Sequence, residues 1–372
     1  MNICIRMANY LLNFSALSVV FWKCNLKSIW RQLIKPKQTP LESSVELLLS
    51  DLHHRISGVS SSVRALVPAT MRTFSTALVF RKPMPGYPIV TLYEAWKILR
   101  MPIHNRPFRI WHVRRNNEMF WAIVARDLLH LNVRIVFTSA AIRRHSWYPR
   151  QLIKKMDAVI ACSTKAASFV PHVYRVVPHG VDLERFAHSL GTLPELAPFA
   201  EGGRVVGIVG RVRPEKGTDL FVRSMLECMR QYDDVCAVIV GKATAKYQPF
   251  KTQLINLISA AGFSDRFLWL DEVALENMPI VYHALDIVCA PALYEGFGLV
   301  PIEAMVSGTA VVASKTGAYE DMVVEGKNGL LVDCGDQNQL QNALISILDA
   351  GTDLASFKVE GQKIVREKFS LQ

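Results

Sequence analysis

The sequence predicts an α/β protein of two Rossmann-like domains with parallel sheets. Three observations point that way. The chain has 372 residues, enough for two domains of ordinary size, and 50% of them are hydrophobic, so each can bury a core. From residue 204 onward, short apolar runs alternate with helix-length segments, the rhythm of a parallel sheet with right-handed crossovers. Between the halves, residues 191–203 hold two prolines and close on a pair of glycines, which reads as a linker.

Charge divides the same way. Lys and Arg number 43 against 32 Asp and Glu, a net of +11. Through Ser189 the count is 27 basic and 9 acidic, leaving 16 and 23 for the remainder. A basic first half points to an anionic partner: nucleic acid, a phosphorylated glycan or an anionic membrane face. No nucleic-acid reading module is recognisable, which argues against the first. Seven cysteines without a CxxC pair form neither a disulfide framework nor a zinc site, and they fit a reducing cytoplasm. Cys162, Cys236 and Cys289 lie in apolar runs and read as small core residues.

Residues 1–43 read as an N-terminal extension, disordered or on a membrane surface. Their apolar run over 10–22 is shorter than the roughly 20 residues of a spanning helix. Lys23, Lys27, Arg31, Lys35 and Lys37 follow it, a pattern that favours a membrane surface. No convincing small-residue cleavage site marks a signal peptide.

The first domain is expected over 44–190. A strand at 45–49, a loop ending at Gly58 and a helix from about Ser60 open it as a dinucleotide-like half. A Pro-rich, basic stretch over 84–107 contains one helix, 92–100, and a strand follows at 108–113, ending in Trp111-His112-Val113-Arg114-Arg115. Further strands are expected at 133–138 and 157–161. In the loop after the first of these, Arg143, Arg144, His145 and Arg150 form a cationic cluster. With Arg114 and Arg115 it offers bidentate contacts to acceptor phosphates, and it reads equally as a solvated basic face.

The second domain, 204–372, opens with a buried strand at 205–210 and then Arg211-Val-Arg-Pro-Glu-Lys216-Gly. Strands at 235–241 and 267–270 alternate with helices at 249–261 and 278–285. The strand at 286–291 leads into the stretch that organises the chain, Ala290 to Ser307. Its loop holds Gly296 and Gly298, which let backbone approach a ligand, and Pro301 opens a helix. Glu295 and Glu303, eight positions apart, bracket that loop so that both can face one crevice. Carboxylates accept hydrogen bonds from sugar hydroxyls, and free amides at a helix start favour an anion. Either glutamate alone also reads as a surface or loop residue. Strands at 310–314 and 329–333 flank Thr316-Gly317-Ala318, which begins another helix.

The span from Glu295 to Glu303 resembles the EX7E signature of retaining nucleotide-sugar glycosyltransferases with the two-domain GT-B fold, whose parallel sheets face a central cleft. Arg211 to Gly217 resembles that family's GRxxxxKG element. Thr316-Gly317-Ala318 resembles its TGGxxE loop with Ala318 for a second glycine, and residues 175–186 resemble its "PNGVDxxRF" turn with His179 for Asn. The resemblance implies a hexosyltransferase in which Arg211 and Lys216 hold the diphosphate, Glu303 the ribose and Glu295 the donor sugar. Glu295 and His112 are the catalytic candidates, His112 near the reacting carbon, with Arg114 where the family's second histidine of a His-x-His pair stands. Gly58, Gly298 and Gly317 are further donor or acceptor contacts. No metal or other cofactor is implied.

Details such as RPFRIWHVRRNNEMF and GRVRPEKGTDLFV look like bacterial lipopolysaccharide-core mannosyltransferases. That likeness implies GDP-mannose as donor and an anionic, lipid A-linked acceptor. It places the enzyme in the cytoplasm, peripheral on the membrane face, with no nucleic acid as partner. It also implies a last helix crossing back onto the first domain, which the sequence is expected to lack. A nucleotide-sugar epimerase of the same fold, or a truncated inactive copy, is the alternative.

Overall fold

The computed structural model describes residues 44–54, 58–103, 106–188, 191–200, 202–349 and 354–371. The extension expected over 1–43 lies outside the described residues. One set of strands is β1 (Leu47–Asp51), β2 (Thr76–Phe80), β3 (Arg109–Val113), β4 (Val133–Ser139), β5 (Ala158–Ala161) and β6 (Val173–Val176). A second set is β7 (Arg204–Val209), β8 (Val235–Val240), β9 (Phe267–Leu270), β10 (Ile287–Ala290), β11 (Ala310–Ser314) and β12 (Leu330–Val332). The longer helices are α1 (Gly58–Thr73), α2 (Leu92–Arg100), α3 (Asn116–Ile123), α4 (Trp147–Ile153) and α5 (Thr218–Gln231). They continue with α6 (Gln248–Ala260), α7 (Met278–His283), α8 (Val300–Val306), α9 (Gln337–Leu348) and α10 (Leu354–Lys368).

The strands form two six-stranded parallel sheets, ordered β2-β1-β3-β4-β5-β6 and β12-β11-β10-β7-β8-β9. This is the α/β architecture expected from the sequence. Each order reverses once. The first sheet grows from β1 to β2 on one side and from β3 onward on the other; the second grows from β7 to β9 on one side and from β10 to β12 on the other. Such reversals open crevices at the strands' carboxyl ends, where open α/β sheets take their ligands.

The described residues divide into two compact units: 44–54 with those of Phe74–Ile135, and 58–73 with those from Val136 onward. In the first, β1 runs parallel to β2 and β3. β2 was not read from the sequence, because five residues followed by Arg81, Lys82 and Pro83 carry little periodicity. α2 falls where expected, closed at its start by Thr91 and Glu94 in a reciprocal capping box. Arg109, fully buried, donates to the carbonyls of Val45, Met101 and Pro102 at 2.8, 2.6 and 3.3 Å, tying β3 to the end of α2.

In the second unit, alternate residues of β8, β10 and β11 enter two separate cores. Ala237, Ile239, Ile287, Cys289, Ala310 and Val312 face one. Val238, Val240, Val288, Ala290, Val311 and Ala313 face the other. A sheet covered on both faces needs near-continuous apolar strands, which is why these segments show no polar alternation. Each buried Val or Ile stabilises the fold by about 1.5–3 kcal/mol. Cys162, Cys228 and Cys289 are buried, Cys236 is half-buried and Cys334 exposed. The cationic stretch expected as a loop after β4 ends in α4, so Arg150 sits on a helix. After α10 the chain returns to Val181, whose amide donates to Phe369 at 2.8 Å and whose carbonyl accepts from Leu371 at 3.3 Å.

Candidate active site

β7 and β10 are neighbours at the reversal of the second sheet, and their exit loops build the site. After β7, Pro214–Lys216 form a single 3-10 turn, closed by Gly217 in the left-handed conformation (φ 70°). A methyl group on Gly217 would stand 2.1 Å from the Pro291 carbonyl oxygen, so only glycine lets this turn nest against the exit of β10. Leu293 N–H donates to the Glu215 carbonyl at 3.1 Å and fastens the two loops. The aliphatic stem of Lys216 lies over Gly210. Its ammonium closes an ion pair with Glu295 Oε2, both side chains only about one-fifth exposed.

The other oxygen of Glu295 accepts the Gly296 amide at 3.0 Å. The loop after β11 supports this arrangement. Thr316 Oγ1 accepts the Glu295 amide at 3.4 Å, and Gly317 (φ 58°) packs so closely that a methyl group there would lie 2.2 Å from the Glu295 carbonyl oxygen. Gly298 sits between the Glu295 side chain and the Tyr319 ring. Ala318, standing for the second glycine of the TGGxxE pattern, is fully buried in one of the two cores. On the far side of the loop, Gly296 approaches the Ala140 carbonyl, and the Phe297 ring meets His179 edge-on at 4.7 Å.

Glu303, in the first turn of α8, accepts a 2.8 Å hydrogen bond from the Tyr282 hydroxyl on α7. Burial pushes its carboxyl above the ordinary value, opposed by the Tyr282 bond and by the Arg185 charge. Tyr319 is held well above the usual phenol value by burial and then by the charges of Glu295 and Glu303. Both carboxylates therefore lie near one buried phenol. Tyr282 and Tyr319 are not marked by the sequence as site residues. Their type and spacing match core packing, and only the fold reveals what they touch.

The structure thus gathers Lys216, Glu295, Glu303, Gly298 and Gly317. Arg211 is exposed in the same loop as Lys216. Gly58 opens α1 with nothing within 4 Å of where a methyl group would stand. His112 belongs to the first unit, half-buried on β3, its carbonyl accepting from Ser50 Oγ at 3.1 Å. Arg115 departs from the expected phosphate contact. Its guanidinium turns inward onto Asp51 at 2.5 Å and Glu118 at 3.4 Å, with the side chain 15% exposed. Arg143, Arg144 and Arg150 are exposed, and burial followed by the Arg143 charge lowers the His145 pKa. Among the described residues no group of three His, Cys, Asp or Glu side chains gathers as metal ligands do, and no helix is long and apolar enough to cross a membrane.

A family model described as glycosyl transferases group 1 matches residues 194–364. The lipopolysaccharide core biosynthesis mannosyltransferase LpcC of Rhizobium leguminosarum bv. viciae is 39% identical over 333 residues, spanning 88% of this chain and 93% of its own. LpsB of Rhizobium meliloti (strain 1021), also named a lipopolysaccharide core biosynthesis mannosyltransferase, is 36% identical over 333 residues, 88% and 94% of the two chains. Among solved structures, Anabaena HepE in complex with UDP-glucose aligns with a TM-score of 0.70 at 18% identity, over 87% of this chain and 95% of that one. Sucrose-phosphate synthase from Thermosynechococcus elongatus aligns with 0.68 at 20%, over 87% and 94%. At such identities the structural likeness is one of fold.

Proposed function

We propose a donor, an acceptor and a division of roles from one premise: this chain belongs to the glycosyl transferases group 1 family and is a glycosyltransferase of the GT-B fold. The donor is a nucleotide sugar, GDP-mannose, and the acceptor a phosphorylated lipid A–core glycolipid. Mannose is transferred with its anomeric configuration retained. Two relatives named as core mannosyltransferases, similar over nearly their whole length, support this reading. The basic first half suits a phosphorylated acceptor at the cytoplasmic membrane face, where the enzyme binds peripherally. Residues 44–190 carry the acceptor side, 204–372 the donor side, and 191–203 join them.

The observation that carries the donor site is the Lys216–Glu295 pair at the β7/β10 reversal. Sugar transfer leaves a nucleoside diphosphate with new negative charge. Fixed cations aimed at that charge stabilise the transition state, each such group contributing about 10²–10³ in rate. Lys216 brings a compact charge and Arg211 a fork for two phosphate oxygens. When the diphosphate takes Lys216, Glu295 turns to hydroxyls of the donor sugar. Glu303 gives Oε2 to Tyr282, leaving Oε1 for a ribose hydroxyl. The Gly317 and Gly298 loops bring backbone close to the donor, Gly58 meets the donor phosphate or the acceptor, and His112 lies near the reacting carbon. Glu295 is assigned to hydroxyls of the donor sugar and Glu303 to the ribose, no other carboxylate among the described residues is assigned as a covalent nucleophile, and a double displacement is not part of this reading. The charge is carried by cations and amides, so no metal is required.

The test is incubation of the full chain with GDP-mannose, UDP-glucose or UDP-GlcNAc, with and without phosphorylated lipid A–core glycolipid. Nucleoside diphosphate release is followed and the product's anomeric carbon examined by NMR. GDP release that depends on both GDP-mannose and acceptor, giving an α-linked product, is the expected result. Isomerised sugar nucleotide without acceptor indicates an epimerase, and absence of turnover with every pair overturns the reading.

A further inference from the structure

Among the described residues of the first unit, Glu118 is the most deeply buried carboxylate, with no side-chain exposure. It occupies the first turn of α3, where a glutamate commonly caps the amide one turn back. Its bonds extend further than a cap. Oε2 accepts the Arg114 amide at 2.8 Å, and Oε1 accepts the Leu52 amide at 3.2 Å, from a residue 66 positions away. Leu52 is the first residue after β1 and Arg114 the first after β3. These strands are the two neighbours at the reversal of the first sheet. One carboxylate therefore ties together both loops that leave the carboxyl ends at that crevice. Arg115 braces it from the side while pairing with the buried Asp51.

A buried charge is an expensive way to fill space. Replacing a buried ionic group with well-packed apolar residues is often neutral or stabilising. Helix capping alone would not require the Leu52 bond. We propose that Glu118 is a positioning residue for the acceptor: it touches neither substrate, but it sets the relative placement of the Leu52 segment leaving β1 and of the His112–Arg114 segment leaving β3. The inference rests on the reading that the first half carries the acceptor side.

The test pairs kinetics with amide exchange on the full chain. In Glu118→Gln the side-chain amide places a donor where a backbone N–H or the guanidinium already donates, so one of the two loop bonds is lost. With GDP-mannose and a phosphorylated lipid A–core glycolipid as probes, acceptor KM should rise on the order of tenfold, the loss of one charge-assisted hydrogen bond. Donor KM should stay within about twofold, inside the ordinary scatter of such measurements. A parallel rise of both KM values, or a fall in kcat alone, overturns the proposal. Hydrogen exchange provides the second measurement. Glu118→Ala should release the Leu52 and Arg114 amides while amides of the second unit keep their protection. Unchanged exchange at both amides also overturns it. If the unaltered protein turns over none of these substrates, the donor and acceptor assignment fails, and the exchange result still decides whether Glu118 holds the loops.

Discussion

Lys216 and Glu295, 79 residues apart in sequence, meet in an ion pair because Gly217 lets the turn after β7 seat directly on Pro291. A cation and a carboxylate from two loops thus face each other at the reversal of the sheet. A diphosphate bound there competes with Glu295 for the same ammonium.

That competition separates binding from turnover. Glu295→Gln frees Lys216, so GDP should bind more tightly, by about fivefold for a well-placed pair of this kind. The same change removes a group expected on the donor sugar, and kcat should fall on the order of 10²-fold. Calorimetry with GDP and initial rates with the full donor measure the two effects. Weaker GDP binding in Glu295→Gln would count against the shared ammonium.

Two glycines expected at the site should behave oppositely. Gly317 is left-handed, and a methyl group there meets the Glu295 carbonyl oxygen. Gly317→Ala should lower stability by roughly 1–3 kcal/mol through backbone strain alone and displace Glu295. Gly58 opens α1 in open space, so Gly58→Ala should leave stability unchanged or raise it by about 0.4–1 kcal/mol. Denaturant titration of both variants checks the contrast, and a destabilised Gly58→Ala would show a constraint at the start of α1 that the fold does not display.

What the sequence made legible follows a physical division. Strands buried on both faces announce themselves as apolar runs, and glycine-bearing loops before helix starts mark ligand-facing ends. β7, β10 and β11, Lys216, Glu295 and Glu303 were therefore readable. Contacts that depend on distant partners were not. Arg115 reads as an outward cation until Asp51, 64 residues earlier, is seen beside it. Tyr282 reads as a core aromatic until its hydroxyl is found on Glu303. β2 runs straight into Arg81, Lys82 and Pro83, and that basic, proline-bearing stretch hides its apolar residues.

Burial raises the Glu303 carboxyl above its ordinary 4.5, so the native state keeps that proton to higher pH than the unfolded chain does. Across this window the native state binds more protons, and stability falls as pH rises. Below 4.5 both states are protonated and the effect vanishes. Glu303→Gln removes the titration, so the stability of the variant relative to the parent should improve from pH 4.5 upward and level off once the native carboxyl has ionised. Glu118 is also raised by burial, but it titrates in both proteins and cancels from the difference. Urea midpoints across that range test this, and a difference independent of pH would mean that Glu303 is not desolvated as its surroundings indicate.

Tyr282→Phe tests the same carboxylate from the other side. The phenol is fully buried and its ring packs near Phe186, 5.9 Å between centroids, so phenylalanine fills the same space. What is lost is the donor to Glu303 Oε2, leaving a carboxylate oxygen without that partner at a cost of about 1–3 kcal/mol. The lost bond favoured the ionised form, so the Glu303 carboxyl should titrate higher still in the variant. Its stability should then keep falling with pH beyond the point where the parent levels off. Donor KM should rise about fivefold, the equivalent of one net hydrogen bond, because Glu303 is no longer held in place for the ribose. Superimposable pH–stability curves for the two proteins would show that the Tyr282 hydroxyl does not hold the proton off Glu303.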